Sequence, residues 1–175
     1  MNAGAEHPAT TDPTDAEPTA VWSALVEVYQ GVLHDVVAIL GDRAGIDSGV
    51  FSALAYLERA DPPHQLAMSE LQRLLHPRYS QPGLSRLVQR MEADGLVERR
   101  RDPADGRAAI LVSTRTGRRA YARSNSVYAA AVQEHFGRHL DHGDAAILAD
   151  AFARVVARRA AASPANRRAR PTFSS

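Results

Sequence analysis

The sequence predicts a mainly α fold of six helices with one small β-ribbon, arranged as a helix-turn-helix that carries a wing. Three observations predict it. In residues 80–112, SQPGLSRLVQRMEADGLVERRRDPADGRAAILV, Leu84, Leu87, Val88 and Met91 recur at i, i+3, i+4 and i+7, one buried stripe of a short helix. The pattern then turns strand-like around a Pro- and Gly-containing turn, Asp102 to Gly106. Long helical stretches rich in apolar residues flank this core on both sides, from Ala20 and from Thr114.

Each element has its own signal. Residues 1–19 are mostly Ala, Thr, Pro, Asp and Glu without apolar periodicity, so a disordered tail is expected. The first helix, about Ala20 to Leu40, carries Val21, Leu25, Val28, Val32 and Val36, with Trp22, Val26, Leu33 and Val37 on other faces. Apolar residues on so many sides ask for burial by a partner subunit. The second, about Ser48 to Arg59, is marked by Val50, Phe51, Leu54 and Leu57, capped by Asp47 or Ser48 and ended by Asp61, Pro62 and Pro63. The third, Ser69 to about Leu75, opens with S-E-L-Q, which reads as a capping box of Ser69 and Gln72.

After the short turn HPRYS comes the fourth helix, with Ser80 as N-cap and Gly95 as its stop. Leu96 and Val97 lead into a strand through Glu98, Arg99, Arg100 and Arg101, and Ala108 to Val112 returns. The fifth helix, Thr114 to about His139, has Ala120, Val127, Tyr128, Ala131, Val132 and Phe136 along one broad face. Asp141 is expected to cap the sixth, whose apolar residues are Ile147, Leu148, Phe152, Val155 and Val156. From Ser163 the chain reads SPANRRARPTFSS, a second disordered tail, this one basic. One domain is expected over 20–162, with 20–60 and 114–162 mainly dimerisation helices around a core at 66–113. Helices this long and apolar around so small a core cannot all be buried in one subunit, which predicts an intertwined helical homodimer.

Composition removes several function classes. The chain has 175 residues and no cysteine, which excludes disulfides, thiolate zinc sites and thiol-based redox sensing. With no apolar run near 18 residues and no basic-then-apolar leader, neither a membrane span nor a secretion signal is expected, and the default location is cytoplasmic. Glycine-rich phosphate loops, G-x-S-x-G and paired carboxylates at a catalytic spacing are missing, so no enzyme and no cofactor are expected. His135 and His139 stand at i, i+4 with His142 nearby, but no acid completes H-E-x-x-H, and no metal is expected.

The charge is uneven in a useful way. All 21 basic residues are arginine and the net charge is +1, yet Ser69 to Arg123 holds 12 arginines against 6 Asp and Glu. That segment is the candidate polyanion-binding face. Rotation by 100° per residue puts Pro82, Ser85, Arg86, Gln89 and Arg90 opposite the buried stripe of the fourth helix, the side able to enter a major groove. Arg107 sits where the turn re-enters the returning strand, so it can project from the ribbon's tip toward a narrow, electronegative minor groove.

These residues resemble the MarR family of winged helix-turn-helix regulators over roughly Val21 to Ala160. The densest likeness is Leu66 to Gly117, where SELQRLL, SQPGLSRLVQRME, ADGLVERR, DPADGRA and the pair Thr114 and Gly117 follow the family's pattern in order. Ser113 and Arg115 depart from it, since the family usually has Leu before the Thr and often Pro after. The resemblance implies a homodimer that sets two recognition helices in successive major grooves and two wings in the flanking minor grooves. Helices about 34 Å apart then call for an inverted-repeat operator in double-stranded DNA. Arg86 and Arg90 are the arginines of the outward face, one suited to guanine and the other to phosphate, with Ser85 and Gln89 able to read base edges. Ser80, Gln81 and Pro82 lie at the helix N-terminus, where amides favour phosphate. Arg78 and Tyr79 in the preceding turn and Arg101 on the first strand are further contact candidates. By motif position Arg107 is the wing arginine, and Asp105 orients a nearby arginine.

The resemblance also implies a repressor released by a small aromatic or anionic effector bound between the dimer helices and the reading heads. Trp22, Tyr29, His34, Tyr56 and Tyr128 are the candidates for that pocket. The urate-responsive branch of the family, which the early tryptophan resembles, places an acid where this chain has Ser52, so urate is not implied. An alternative from another class stays open: a winged-helix dimer whose arginine face meets an acidic protein partner.

Overall fold

A computed structural model describes residues 17–60, 62, 64–76, 78–101 and 109–162. Two compact units divide the chain, Met1–Ala131 and Val132–Ser175. The first contains five helices and a three-stranded sheet. Helix α1 spans Pro18–Ile39, with proline at its first turn where no backbone donor is lost, and continues as a π-helical turn, Leu40–Ala44. Gly45 ends it at φ +62°. Helix α2, Ser48–Arg59, is capped by the Asp47 carboxylate, which accepts from Gly49 N at 2.8 Å and Val50 N at 3.2 Å. Helices α3 (Met68–Leu75) and α4 (Gln81–Ala93) complete the helix-turn-helix, and α5 spans Arg115–His135, its last residues belonging to the second unit.

Strands β1 (Gln65–Ala67), β2 (Val97–Arg101) and β3 (Ala109–Ser113) form an antiparallel sheet in the order β1-β3-β2. Its register pairs Val97 with Ser113 and Arg101 with Ala109 on one side of β3, and Gln65 with Val112 on the other. The sequence suggested a two-stranded ribbon. The third strand escapes pattern reading because three residues are too few to show a period.

That strand also overturns the capping box expected at α3. The chain enters the helix directly from β1, so the cap position is Ala67, which has no side-chain bond to give. Gln72 turns away from the helix start and donates through Nε2 to the Tyr79 carbonyl at 2.9 Å. The core of this unit is built from α2, α3, α4 and the sheet: Leu54, Leu57, Leu71, Leu84, Val88, Met91 and Leu111 are at most 1% exposed.

Helix α1 contributes unevenly. Val36 and Leu40 are buried, whereas Val21, Trp22, Val28 and Tyr29 lie exposed. By length and composition Pro18–Ala44 is apolar enough to cross a membrane, with mean hydropathy 1.4. The expectation that no segment qualifies is corrected on that measure, because the isolated charges Glu27 and Asp35 hide an otherwise apolar helix.

In the second unit the chain passes through a 3-10 turn, Gly137–His139, into α6, Asp144–Ala162. The sixth helix thus begins three residues past its expected cap. The carboxylate of Asp144 accepts from Asp141 N at 2.8 Å, so the bond joins the two aspartates in the sense opposite to that expected. Ile147, Phe152, Val155 and Val156 of α6 are exposed. Both predicted tails fall on residues outside those described, apart from 17–19, where α1 already begins.

The join between the wing and α5 is close. A Cβ on Gly117 would stand 2.1 Å from the Leu96 carbonyl oxygen, a backbone atom that cannot swing aside. Gly117→Ala is therefore expected to destabilise the protein by about 2 kcal/mol or more through overpacking. Urea unfolding checks it, and a midpoint equal to wild type would show that the join has slack.

Candidate nucleic-acid interface

Helix α4 is fixed at both ends before any ligand arrives. Ser80 Oγ accepts from Gly83 N at 3.3 Å at the start. At the end, Gly95 N donates to Glu92 O at 3.0 Å and Leu96 N to Met91 O at 2.8 Å, with Gly95 at φ +65°. That double bond is a Schellman stop, and only a residue free to take positive φ makes it cheaply. Leu84, Leu87, Val88 and Met91 are buried as their spacing predicts. On the opposite side Gln81, Pro82, Arg86, Gln89 and Arg90 are exposed, while Ser85 is half-buried at the edge of the face.

The arginines around this face are not equivalent. Arg90 Nη2 lies 3.6 Å from Asp47 Oδ1, the same oxygen that caps α2. Arg99 pairs with Glu92 at 3.2 Å and Arg100 with Glu98 at 2.7 Å. Among the described residues no ion pair joins Arg86 or Arg101 to an acid, and both are exposed. The Arg90–Asp47 pair is 56% and 52% exposed, so solvent screens it to well under about 1 kcal/mol. A phosphate can therefore take Arg90 from Asp47 at little cost.

The turn before α4 faces two ways. Tyr79 is half-buried, its hydroxyl pressed against Gly49 so closely that a Cβ there would lie 1.9 Å away. The ring thereby seats the recognition helix on the first turn of α2. Arg107 and Asp105 lie outside the described residues, as does the turn from Asp102 to Gly106. The strands that lead to it are in place, with Arg101 exposed at the outer end of β2.

A family model for the MarR family matches residues 44–108, which span α2 to the wing turn. Over that segment the sequence is similar to the MarR family. Solved structures agree with the MarR fold. Sco3205 from Streptomyces coelicolor, a MarR family transcriptional regulator in complex with DNA, is 25% identical, with 81% of this chain and 90% of that one covered at a TM-score of 0.66. BldR, a transcriptional regulator from Sulfolobus solfataricus, is 22% identical over 84% of this chain and 99% of its own, TM-score 0.67. The transcriptional repressor CouR, bound to a 23-mer DNA duplex, is 22% identical over 82% and 94%, TM-score 0.60. No protein of curated function is detectably similar in sequence.

Beneath the reading head the MarR-like unit holds a cavity of about 360 Å³. Tyr29, Tyr56 and Tyr128 line it, three of the five aromatic and polar candidates from the sequence. Phe51 shapes its wall, with the rings of Tyr121 and Tyr128 at centroid distances of 5.9 and 5.0 Å. The other two candidates stand elsewhere. His34 is exposed off the cavity, and Trp22 lies on the exposed face of α1, beside Ser23, Val26 and Gln30.

Sequence reasoning missed Arg59, His76 and Asn125 in the cavity's lining, and placed Arg78 only on the DNA side. Tyr121 was legible, since it lies seven residues before Tyr128 on the same helical stripe. The place of Arg78 at the cavity was not, because the residue is exposed and nothing local tells which way a turn residue faces. Among the described residues no three His, Asp or Glu side chains converge on a metal-sized site.

Asp47 joins the cap of α2 to the recognition helix, and two substitutions separate its roles. Asp47→Asn keeps a capping oxygen and should unfold within about 0.5 kcal/mol of wild type, whereas Asp47→Ala should lose about 1 kcal/mol. Equal losses in urea unfolding would show that the charge beside Arg90, and not the cap, is what stabilises this corner.

Proposed function

We propose that the chain is a cytoplasmic, dimeric transcription regulator that reads an inverted-repeat operator and is a repressor released by a small anionic aromatic molecule. The observation that carries the DNA reading is the exposed face of α4, where Arg86 stands between Ser85, Gln89 and Arg90 without an ion pair to any described residue. A bidentate guanidinium suits guanine, and Gln89 suits adenine. Similar proteins captured on DNA, Sco3205 and CouR, support the same assignment. Two of these faces must act together, since one short helix contacts too few bases to specify a site.

A second copy of the chain supplies the other face. The exposed Val21, Trp22, Val28 and Tyr29 of α1 and the exposed Ile147, Val155 and Val156 of α6 are apolar surfaces of the kind that obligate dimers cover. The wing turn, with Arg107 at its re-entry, serves the flanking minor groove. Selection from a random duplex pool tests the reading. An inverted repeat is expected, with Arg86→Ala binding it about tenfold or more weakly and Arg100→Ala, already paired to Glu98, changing little. Arg107→Ala should also flatten the salt dependence by the share of one phosphate-like contact. Recovery of no preferred duplex would favour the acidic-partner reading of the arginine face.

The effector reading rests on the cavity's chemistry: tyrosine rings for an aromatic body, and Arg59 and Arg78 for an anion. Because Arg78 belongs to the turn that delivers α4, a ligand anion that draws it inward acts on the helix that reads DNA. Salicylate is a suitable probe. Saturating probe is expected to raise the melting temperature and weaken duplex binding, with both effects lost in Arg78→Gln. Stabilisation that survives in Arg78→Gln would place the probe elsewhere.

A further inference from the structure

Ser113 ends β3, is 2% exposed, and has each of its polar groups tied to a different element. Its hydroxyl donates to Glu58 Oε1 of α2 at 2.6 Å. Its amide donates to the carbonyl of His64 at 3.2 Å, in a connection where His64 takes the rare φ of +58°. Its carbonyl accepts from Arg118 Nη1 of α5 at 2.9 Å. This is also the position at which the sequence departs from the family pattern, and a leucine could not make the bond to Glu58.

We propose that the Glu58–Ser113 hydrogen bond is a positioning device for the wing, fixing the angle between the β2–β3 ribbon and the recognition helix. The proposal rests on the DNA-reading function above. Helix α4 is joined to β2 through Gly95 and Leu96, so the base of the ribbon is already anchored at one corner, where Thr114 N donates to Leu96 O at 3.1 Å. On its other side β3 is held by pairing with β1 and by the backbone bonds of Ser113 to His64 and Arg118. Glu58 adds a side-chain tie to the base of the ribbon from α2, a helix that is itself packed in the core.

A bond at 2.6 Å from a hydroxyl to a carboxylate is short and charge-assisted, stronger than a neutral pair. Leverage makes its position matter. At about 3.3 Å per residue, β3 carries Ala109 about 13 Å from Ser113. A tilt of roughly 10° at the base then shifts that end of the ribbon by about 2 Å, a large part of a hydrogen-bond length near 3 Å.

The test uses the full chain and the duplex selected from the random pool, in two forms: complete, and trimmed of the base pairs flanking the major-groove half-sites. Ser113→Ala and Glu58→Ala are expected to bind the complete duplex about tenfold more weakly, the scale of one buried hydrogen bond. Both should bind the trimmed duplex as wild type does, because it offers the wing nothing to reach. Glu58→Gln, which keeps an accepting oxygen, should restore binding of the complete duplex. Hydroxyl-radical footprints should show the flanking minor groove losing protection in the two alanine variants only. If both duplexes weaken equally, Ser113 merely supports the fold and the positioning role is overturned. If neither weakens, it is overturned as well. Wild-type protein that selects no duplex would overturn the DNA reading itself, a failure distinct from a wild type that binds while its Ser113 variants bind alike.

Discussion

The contact on which the rest of this structure depends is the meeting of Leu96 with Thr114 and Gly117. Thr114 Oγ1 donates to the Gly95 carbonyl at 2.7 Å and, more weakly, to that of Leu96 at 3.2 Å, while accepting from Gly117 N at 3.0 Å. One hydroxyl thus closes the stop of the recognition helix and opens the start of α5. Gly117 is needed because a side chain there would collide with the Leu96 carbonyl. Without this seam, the β2 side of the ribbon would be joined to α5 only through β3. With it, three consecutive parts of the chain share one corner: the reader, the wing and the long helix that leaves the reading head.

From that corner the order runs outward. The sheet inherits its register from Val97 facing Ser113, which sets Arg99 opposite Leu111 and Arg101 opposite Ala109. β3 buries Leu111, Val112 and Ser113 in succession, while β2 sends Arg99, Arg100 and Arg101 to solvent. The charge of the ribbon therefore follows from packing: the strand held against α2 must be apolar, and the outer strand is left to carry the arginines. The turn at Arg78 and Tyr79 has a similar double obligation. Tyr79 seats α4 on Gly49, and the neighbouring Arg78 lines the cavity.

The sequence made legible what depends on neighbours along the chain. The bounds of α2, the Asp47 and Ser80 caps, the Gly95 stop and the buried stripe of α4 are local patterns, and all appear where the periodicity places them. What escaped depends on residues far apart. β1 exists because three residues pair with a strand more than forty positions away, and its presence moved the start of α3 off Ser69. The apolar breadth of α1 was legible, but the division of that helix into a buried end at Val36 and Leu40 and a bare end at Trp22 was not. The Glu58–Ser113 bond spans 55 residues and joins two types that commonly sit at surfaces, so no pattern announces it.

The same reasoning separates the arginines of the reading face, which composition treats as one patch. A guanidinium already held by a carboxylate must give up that pair before it meets DNA, and the net gain is the difference of two similar interactions. Arg99 and Arg100 are so held, by Glu92 and Glu98. Their pairs neutralise part of the ribbon's field, which on the proposed DNA reading limits nonspecific attraction to phosphate. Arg90 is intermediate: at similar exposure its pair is longer, 3.6 Å against 2.7 Å for Arg100–Glu98, so a phosphate replaces it more readily. On the proposed DNA reading, Arg86, which no acid among the described residues holds, converts the largest share of its interaction energy into recognition. The twelve arginines of the segment 69–123 are then a poor measure of affinity, because the acids interleaved with them set how much each has to give up on contact.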